Sequence, residues 1–328
     1  MISIVIISKD EPSLADTLAD VTAQAANLSE PAEIVVVDAS AGRLDEIKQR
    51  HATAVRWLDF QQPPGVLISI PHQRNIGVRA TQGDIIVFTD AGCLPEEGWL
   101  KWLVESLRSG EDAVAGTSQD MLGANVFPNK FVRRVEDIGE SSYLVECPTL
   151  NFAFRRSALD AIGDFDERFA YGSDVDFTWR LNDAGYRVRH IPQAILRHDW
   201  GESRRQRRRS FVYGKARARL YRKHTARRKN ILRSDPVVVI YPLFLLGLPL
   251  TLIFPLYPLL LVISGWRNRE TGGFRAIIDH LWYGAGVLAE LAGRRGPRFS
   301  PPRRAALSRR KRSARAEADR DSPAGWAK

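Results

Sequence analysis

Only two of the 328 residues are cysteine, Cys93 and Cys147, and neither stands in a zinc-type spacing. That excludes a disulfide framework and a thiolate metal cluster, and it points to a reducing compartment. The opening MISIVIISKD has no basic leader and no small-residue cleavage site, so it reads as a first strand and not as a secretory signal. No internal repeat is visible, which excludes a solenoid or a propeller. Acidic residues are missing from 203–233, a stretch with fourteen Lys or Arg, and charge of either sign is missing from 236–266. The net charge of +10 therefore belongs to patches. Residues 294–328 carry twelve Lys or Arg against three acids, while the first 200 residues are acidic on balance.

The 44% hydrophobic content is enough for a full core, in one large domain with additions or in two domains. Residues 2–7 (ISIVII) and 33–37 (EIVVV) read as buried strands, the second ending at Asp38. Residues 13–26 carry Leu14, Leu18 and Val21 at helical spacing, with Ser13 as a candidate N-cap. A short helix over 43–50, a strand over 54–59, a Pro- and Gly-containing loop over 61–71 and a helix over 72–81 follow. Residues 85–89 form another buried strand, and 95–109 an amphipathic helix. Strand and helix periods that alternate in this way indicate an α/β sheet with parallel strands. Beyond residue 112 the expected elements are strands at 113–117, 149–155 and 186–191, and helices at 157–162 and 174–184. Residues 127–144 are expected to be partly helical, and His198 to lie in a polar turn.

The stretch 83–93, GDIIVFTDAGC, organises the rest. Ligands bind outside the carboxyl ends of strands in open α/β sheets, and Asp90 stands at such an end before a small-residue turn. Asp38 is placed the same way and suits a base N–H or a ribose hydroxyl. Either carboxylate also suits a plain turn. Arg74 and Asn75 lie in HQRNIGVRATQGD, and the guanidinium fork suits phosphate or base recognition. Asp174 and Asp176, after Gly172 in YGSDVDFTWRLNDAGYRV, are placed for catalysis or for capping a helix N-terminus.

Taken in order, the first strand, VVVDAS, QRNIGVRATQGDIIVFTDAGC, LNFAFRRSALDAIGDFDERF, GSDVDFTWRLNDAGYRV and His198 resemble the family 2 glycosyltransferases. The resemblance runs from Ile2 to about His224. It implies a GT-A nucleotide-sugar fold and inverting transfer from a nucleotide-sugar donor. Position by position, it implies that Asp38 binds the base and that Arg74 and Asn75 flank base and ribose. Asp90 would be the first carboxylate of a DXD-type motif, and Asp174 the base that deprotonates the acceptor hydroxyl. Asn151 would line the acceptor and donor-sugar side, and His198 would help hold a metal or the diphosphate. Two departures stand out. The motif reads Asp90-Ala91-Gly92, without its second carboxylate, so a Mg²⁺ or Mn²⁺ ion would rest on Asp90, His198 and diphosphate oxygens. Ser173 stands where the family has Glu on the acceptor side.

The uncharged 31 residues 236–266 exceed the roughly 20 apolar residues of a membrane crossing. Pro242, Pro249, Pro255 and Pro258 interrupt them, so the expectation is one kinked span or a re-entrant hairpin. Residues 274–292 read as an amphipathic helix lying on a membrane or forming a second span, with Arg275, Asp279 and Glu290 off its apolar face. The tail 293–328 reads as basic and disordered. Basic residues on both sides of 236–292 favour a cytoplasmic location for both ends and contact with membrane lipids over nucleic acid. The expected organisation is a catalytic domain over 1–230 moored at the cytoplasmic face of the cell membrane. Its expected acceptor is a glycan or a lipid-linked hydroxyl. A polyprenyl-phosphate glycosyl synthase and a catalytically inactive nucleotide-sugar-binding scaffold are the alternatives.

Overall fold

The computed structural model describes residues 1–66, 68–127, 134–138, 141–199, 203–267 and 273–293. The expected basic tail lies outside the described residues from 294 on.

Among the described residues eleven strands form one mixed sheet: β1 (Ile2–Ser8), β2 (Ala32–Asp38), β3 (Arg56–Asp59), β4 (Ile85–Asp90), β5 (Cys93–Pro95), β6 (Ala113–Gln119), β7 (Asn125–Phe127), β8 (Arg134–Ile138), β9 (Ser141–Leu144), β10 (Phe152–Arg155) and β11 (Val188–His198). The spatial order is β3-β2-β1-β4-β10-β6-β11-β9-β8, with β5 paired to β11 and β7 to β6. β3, β2, β1 and β4 run parallel. β10 is inserted antiparallel between β4 and β6. The helices are α1 (Leu14–Ala26), α2 (Asp45–Arg50), α3 (Ile70–Ala80), α4 (Trp99–Arg108), α5 (Arg156–Ile162), α6 (Ser173–Asp183), α7 (Ser203–Lys223), α8 (Ile231–Ser234), α9 (Val237–Leu246), α10 (Leu260–Arg267) and α11 (Gly273–Ala292).

Continuous apolar runs become central strands because both sheet faces are covered. Ile85 and Val87 of β4 enter the core shared with Ile2, Ile4, Leu14, Leu18, Trp99 and Leu103. Ile86 and Phe88, pointing the other way, enter the core of Val5, Phe152, Phe154, Phe165 and Phe177. The period of two along one strand thus feeds two layers. The chain crosses from the β1–β2–β3 side to the β4 side between β1 and β4. A crevice opens there, at the carboxyl ends of the strands.

Several expectations need correction. Residues 127–144, expected partly helical, supply the end of β7 and strands β8 and β9 wherever they are described. These pair at the far edge of the sheet, and that pairing overrides a weak local helix pattern. His198 is not in a turn. It ends β11, opposite Cys93 of β5. Ser13 precedes α1 without a side-chain capping bond.

Among the described residues no helix is long and apolar enough to cross a membrane. The kinked span expected over 236–266 is divided into α9, turns at Leu248–Leu252 and Tyr257–Leu259, and α10. α11 is not a free amphipathic helix. Glu290, expected on its polar face, is 4% exposed and paired with Arg219 of α7 at 2.9 Å. A Cβ on Gly214 of α7 would stand 2.0 Å from the Tyr283 carbonyl oxygen, and one on Gly286 of α11 2.0 Å from that of Phe211. Only glycine permits this approach of two helix backbones.

Candidate functional site

The crevice is a cleft of about 920 Å³ lined, among others, by Glu11, Arg74, Asp90, Gly92, Ser173, Asp174, His198, Tyr213 and Arg217. These residues come from six places in the sequence.

The floor is the carboxyl end of β4. Asp90 is partly exposed there, and Arg74 reaches it from α3, Nη2 to Oδ1 at 3.4 Å. Arg74 is 5% exposed, and its guanidinium lies 5.8 Å from the ring of Phe165. Its Nε is buried with no acceptor among the described residues.

The opposite rim is the start of α6. Gly172, at φ +79°, turns the chain into the helix, so Ser173 and Asp174 occupy its first turn. The Asp174 carboxylate accepts from the Val175 backbone N–H at 2.9 Å. Burial raises its pKa above the usual 3.8, and the charge of Arg74 and that N–H only partly offset this. A half-buried carboxylate with a raised pKa in a cleft is suited to receive a proton.

Asp176, two residues on, does different work. It is 0% exposed and bonded to Lys223 at 2.6 Å, His224 at 2.8 Å and Arg180 at 2.9 Å. It ties α6 to the end of α7 and does not line the cleft.

The structure thus brings Arg74, Asp90, Ser173, Asp174 and His198 together. Three other expected residues lie elsewhere. Asp38 ends β2 beside Ser8 of β1, and it accepts from the Ser40 hydroxyl at 2.5 Å and the Ser40 N–H at 3.2 Å. Burial raises its pKa, and these bonds work against that. Asn75 donates to the Phe165 carbonyl and accepts from the Phe165 N–H, both at 2.9 Å, so its amide holds the loop before α6. Asn151 donates to the Thr117 and Ala194 carbonyls at 3.0 Å and accepts from the Trp99 indole at 2.8 Å. Its amide is spent inside the sheet.

Sequence reasoning missed Glu11, Glu146 and Arg217. Glu146 and Arg217 form a two-pronged ion pair at 2.7 and 2.8 Å, and Arg217 also meets Asp235 at 3.3 Å. The partners stand 71 residues apart, and no local pattern marks them. Glu11 had a signal that went unused. It follows β1 at the same crevice where Gly92 leaves out a carboxylate. A Cβ on Gly92 would lie 3.3 Å from Glu11 Cγ and 3.7 Å from Glu11 Oε2. Gly92 adopts φ +81°, a left-handed turn that favours glycine, and an acid from another loop stands against it.

Among the described residues no three acidic, His or Cys side chains gather closely enough to hold a metal alone. Asp90 and His198 nevertheless line one cleft, and His198 Nδ1 is 3.4 Å from the Gly92 carbonyl oxygen. Carboxylate oxygen with imidazole nitrogen fits a divalent cation whose remaining oxygens come from a diphosphate. Both cysteines are free and buried. Burial pushes the Cys93 thiol up to about 12, so it is not a thiolate ligand at neutral pH.

A mixed α/β sheet with a carboxylate and an arginine at its switch point fits a fold of the GT-A type. The chain belongs to the family described as glycosyltransferase like family 2, whose model matches residues 2–222. It is similar to a mannosyltransferase of Pyrobaculum calidifontis, solved with GDP-Man and Mn²⁺. That likeness has a TM-score of 0.63 at 18% identity and covers 90% of this chain and 88% of the other. It is 33% identical over 148 residues to the pre-mycofactocin glycosyltransferase of Mycobacterium tuberculosis, covering 38% of this chain and 29% of that protein. It is 27% identical over 186 residues to the glycosyltransferase AglE of Haloferax volcanii, covering 51% of this chain and 56% of that one. The chain thus spans between 29% and 56% of the length of these two relatives.

Proposed function

We propose that the protein is an inverting glycosyltransferase that moves a sugar from a nucleotide-sugar to a hydroxyl of a glycan or lipid-linked acceptor at the cytoplasmic face of a membrane. The observation that carries this is the meeting of Asp90, Arg74 and Asp174 across one cleft at the sheet's switch point. The relatives named glycosyltransferases, and the similar mannosyltransferase that holds GDP-Man and Mn²⁺, support the donor class.

The acceptor hydroxyl gives its proton to the Asp174 carboxylate while its oxygen bonds to the anomeric carbon. The bond from that carbon to the diphosphate oxygen breaks, and the electron pair leaves with the diphosphate. Attack from the side opposite the leaving group inverts the configuration. Arg74, which lines the cleft, meets the negative charge of the donor. When bound at Asp90 and His198, a Mg²⁺ or Mn²⁺ ion supplies positive charge to the leaving diphosphate. In this reading Asp38, at the end of β2 and outside the cleft's lining, meets the base. Ser173, smaller than Glu and uncharged, leaves the acceptor side of Asp174 more open.

Two substitutions test the donor end of the cleft. Asp90→Ala is expected to abolish donor turnover, measured as release of nucleoside diphosphate with and without acceptor across a panel of nucleotide-sugars. Turnover that persists would overturn the reading, and natural protein that hydrolyses no donor would favour a scaffold. Glu11→Gln is expected to weaken Mn²⁺ binding in the presence of nucleoside diphosphate by about tenfold, read by the electron spin resonance of free Mn²⁺. Unchanged Mn²⁺ affinity would return Glu11 to a role in the turn alone.

A further inference from the structure

We infer that residues 240–266 form a hairpin that buries in one leaflet of an anionic phospholipid membrane, entering and leaving on the same side. The lipid surface rests on the hairpin itself. Only the delivery of a lipid-borne acceptor to the cleft rests on the function proposed above.

The first observation is exposure. Leu243, Leu246, Leu252, Ile253, Phe254 and Trp266 stand in solvent, Leu252 at 88% and Ile253 at 86%. So continuous an apolar surface is out of place on a water-soluble monomer.

The second is the backbone. In lipid every N–H needs an internal partner. Pro242, Pro249, Pro255 and Pro258 have no N–H to satisfy. Between them Gly247 donates to Leu243, Leu250 to Gly247, Ile253 and Phe254 to Leu250, Tyr257 to Phe254 and Leu259 to Leu256, all at 2.7–3.0 Å. The prolines that break the helix therefore also remove donors from the turn.

The third is shape. Tyr257 folds back on α9. Its hydroxyl donates to the Phe244 carbonyl at 3.0 Å, and its ring stacks on Phe244 at 5.1 Å. A closed hairpin results. Its first arm, residues 240–246 at the end of α9, is about 10 Å long at 1.5 Å per residue, about a third of a hydrocarbon core of about 30 Å. Both arms return to one body. At the start Val238 joins the cluster of Leu220 and Tyr221 on α7, and at the end α11 closes on α7 through Gly214 and Gly286.

The fourth is charge. Arg228, Lys229 and Arg233 are exposed in the segment that leads into the hairpin, a basic collar at headgroup depth for an arm that enters beside it. The helix that anchors both arms, α7, also contributes Tyr213, Ala216 and Arg217 to the cleft. The cleft is thereby held next to the leaflet, where a lipid-linked acceptor arrives.

The test uses the full chain exchanged from detergent into vesicles of phosphatidylcholine with and without phosphatidylglycerol, followed by flotation. The natural chain is expected to float with both and more strongly with phosphatidylglycerol. Leu252→Glu combined with Ile253→Glu is expected to lower partitioning about a hundredfold. Both side chains are free of packing, so thermal unfolding should not change. A fluorophore on Leu252→Cys should be quenched by lipids brominated along the acyl chain and not by iodide trapped inside the vesicle. Cys93 and Cys147, at 0% and 3% exposure, escape the label. Lumenal quenching would show a crossing and overturn the one-leaflet hairpin. Equal flotation of the double variant, or self-association in place of lipid binding, would overturn the lipid surface. Nucleotide-sugar binding is measured on the same samples. Its loss would count against the cleft and leave the lipid result standing.

Discussion

Replacing Asp174 by Asn is expected to slow transfer to a hydroxyl acceptor by about 10²–10⁴-fold, with donor affinity unchanged. The amide keeps the shape at the start of α6 but accepts no proton from the acceptor. The pH profile of the natural enzyme carries the same information. Burial raises the Asp174 pKa above 3.8, and the base works only when ionised, so the acid limb of kcat/KM is expected above that pH. In the Asn variant this limb should disappear with the activity. Near-normal turnover by Asp174→Asn would point to a different acceptor, a polyprenyl phosphate, whose oxygen is already ionised and needs no base. The experiment thus decides between two acceptor chemistries as well as testing the residue.

The second large effect is on stability. Asp176→Ala removes one carboxylate and leaves Lys223 and His224, both nearly buried, without their shared partner. Breaking a buried pair from one side costs about 3–5 kcal/mol, a large part of the roughly 5–15 kcal/mol that holds a domain folded. Chemical denaturation should show this directly. Its pH dependence has a definite sign. Burial alone would raise the Asp176 pKa, but His224, Arg180 and Lys223 more than reverse that, so it lies below 3.8 in the folded chain. The stabilisation is then full above the unfolded value near 3.8 and disappears as pH falls through the lower folded one. The gap between the natural chain and Asp176→Asn should narrow over that acid range and stay constant above it. A constant gap down to the lowest pH would show that the carboxylate's charge is not what stabilises.

The contrast between these two acids shows how far the sequence could be read. Asp174 and Asp176 share a chemistry and a helix, and composition treats them alike. Two residues of a helix turn the side chain by about 200°, so the neighbours must face opposite ways. Which one faces the cleft depends on α7, whose Lys223 and His224 lie 47 and 48 residues downstream of Asp176. β1, β2 and β4 were legible because a strand buried on both faces must be apolar throughout. β8 and β9 were not, because RVEDI and SSYL are polar, and their strands are defined by distant pairing, β9 with β11 and β8 with β9 at the edge. Asp90 was legible from its place after a buried strand. Asn75 and Asn151 share the right segments, but their amides are committed to Phe165 and to Thr117 and Ala194, contacts that no short-range pattern announces.

The glycine crossing of α7 and α11 decides where the chain can be shortened. Cutting the chain near residue 230 would strip α11 from α7 and leave Arg219 and Arg222 without Glu290, exposing a helix face shaped for another backbone. The piece to remove is the hairpin's far end, beyond the Tyr257 stack on Phe244. Its side chains meet solvent, and its loss would spare the seam that keeps the cleft's wall upright.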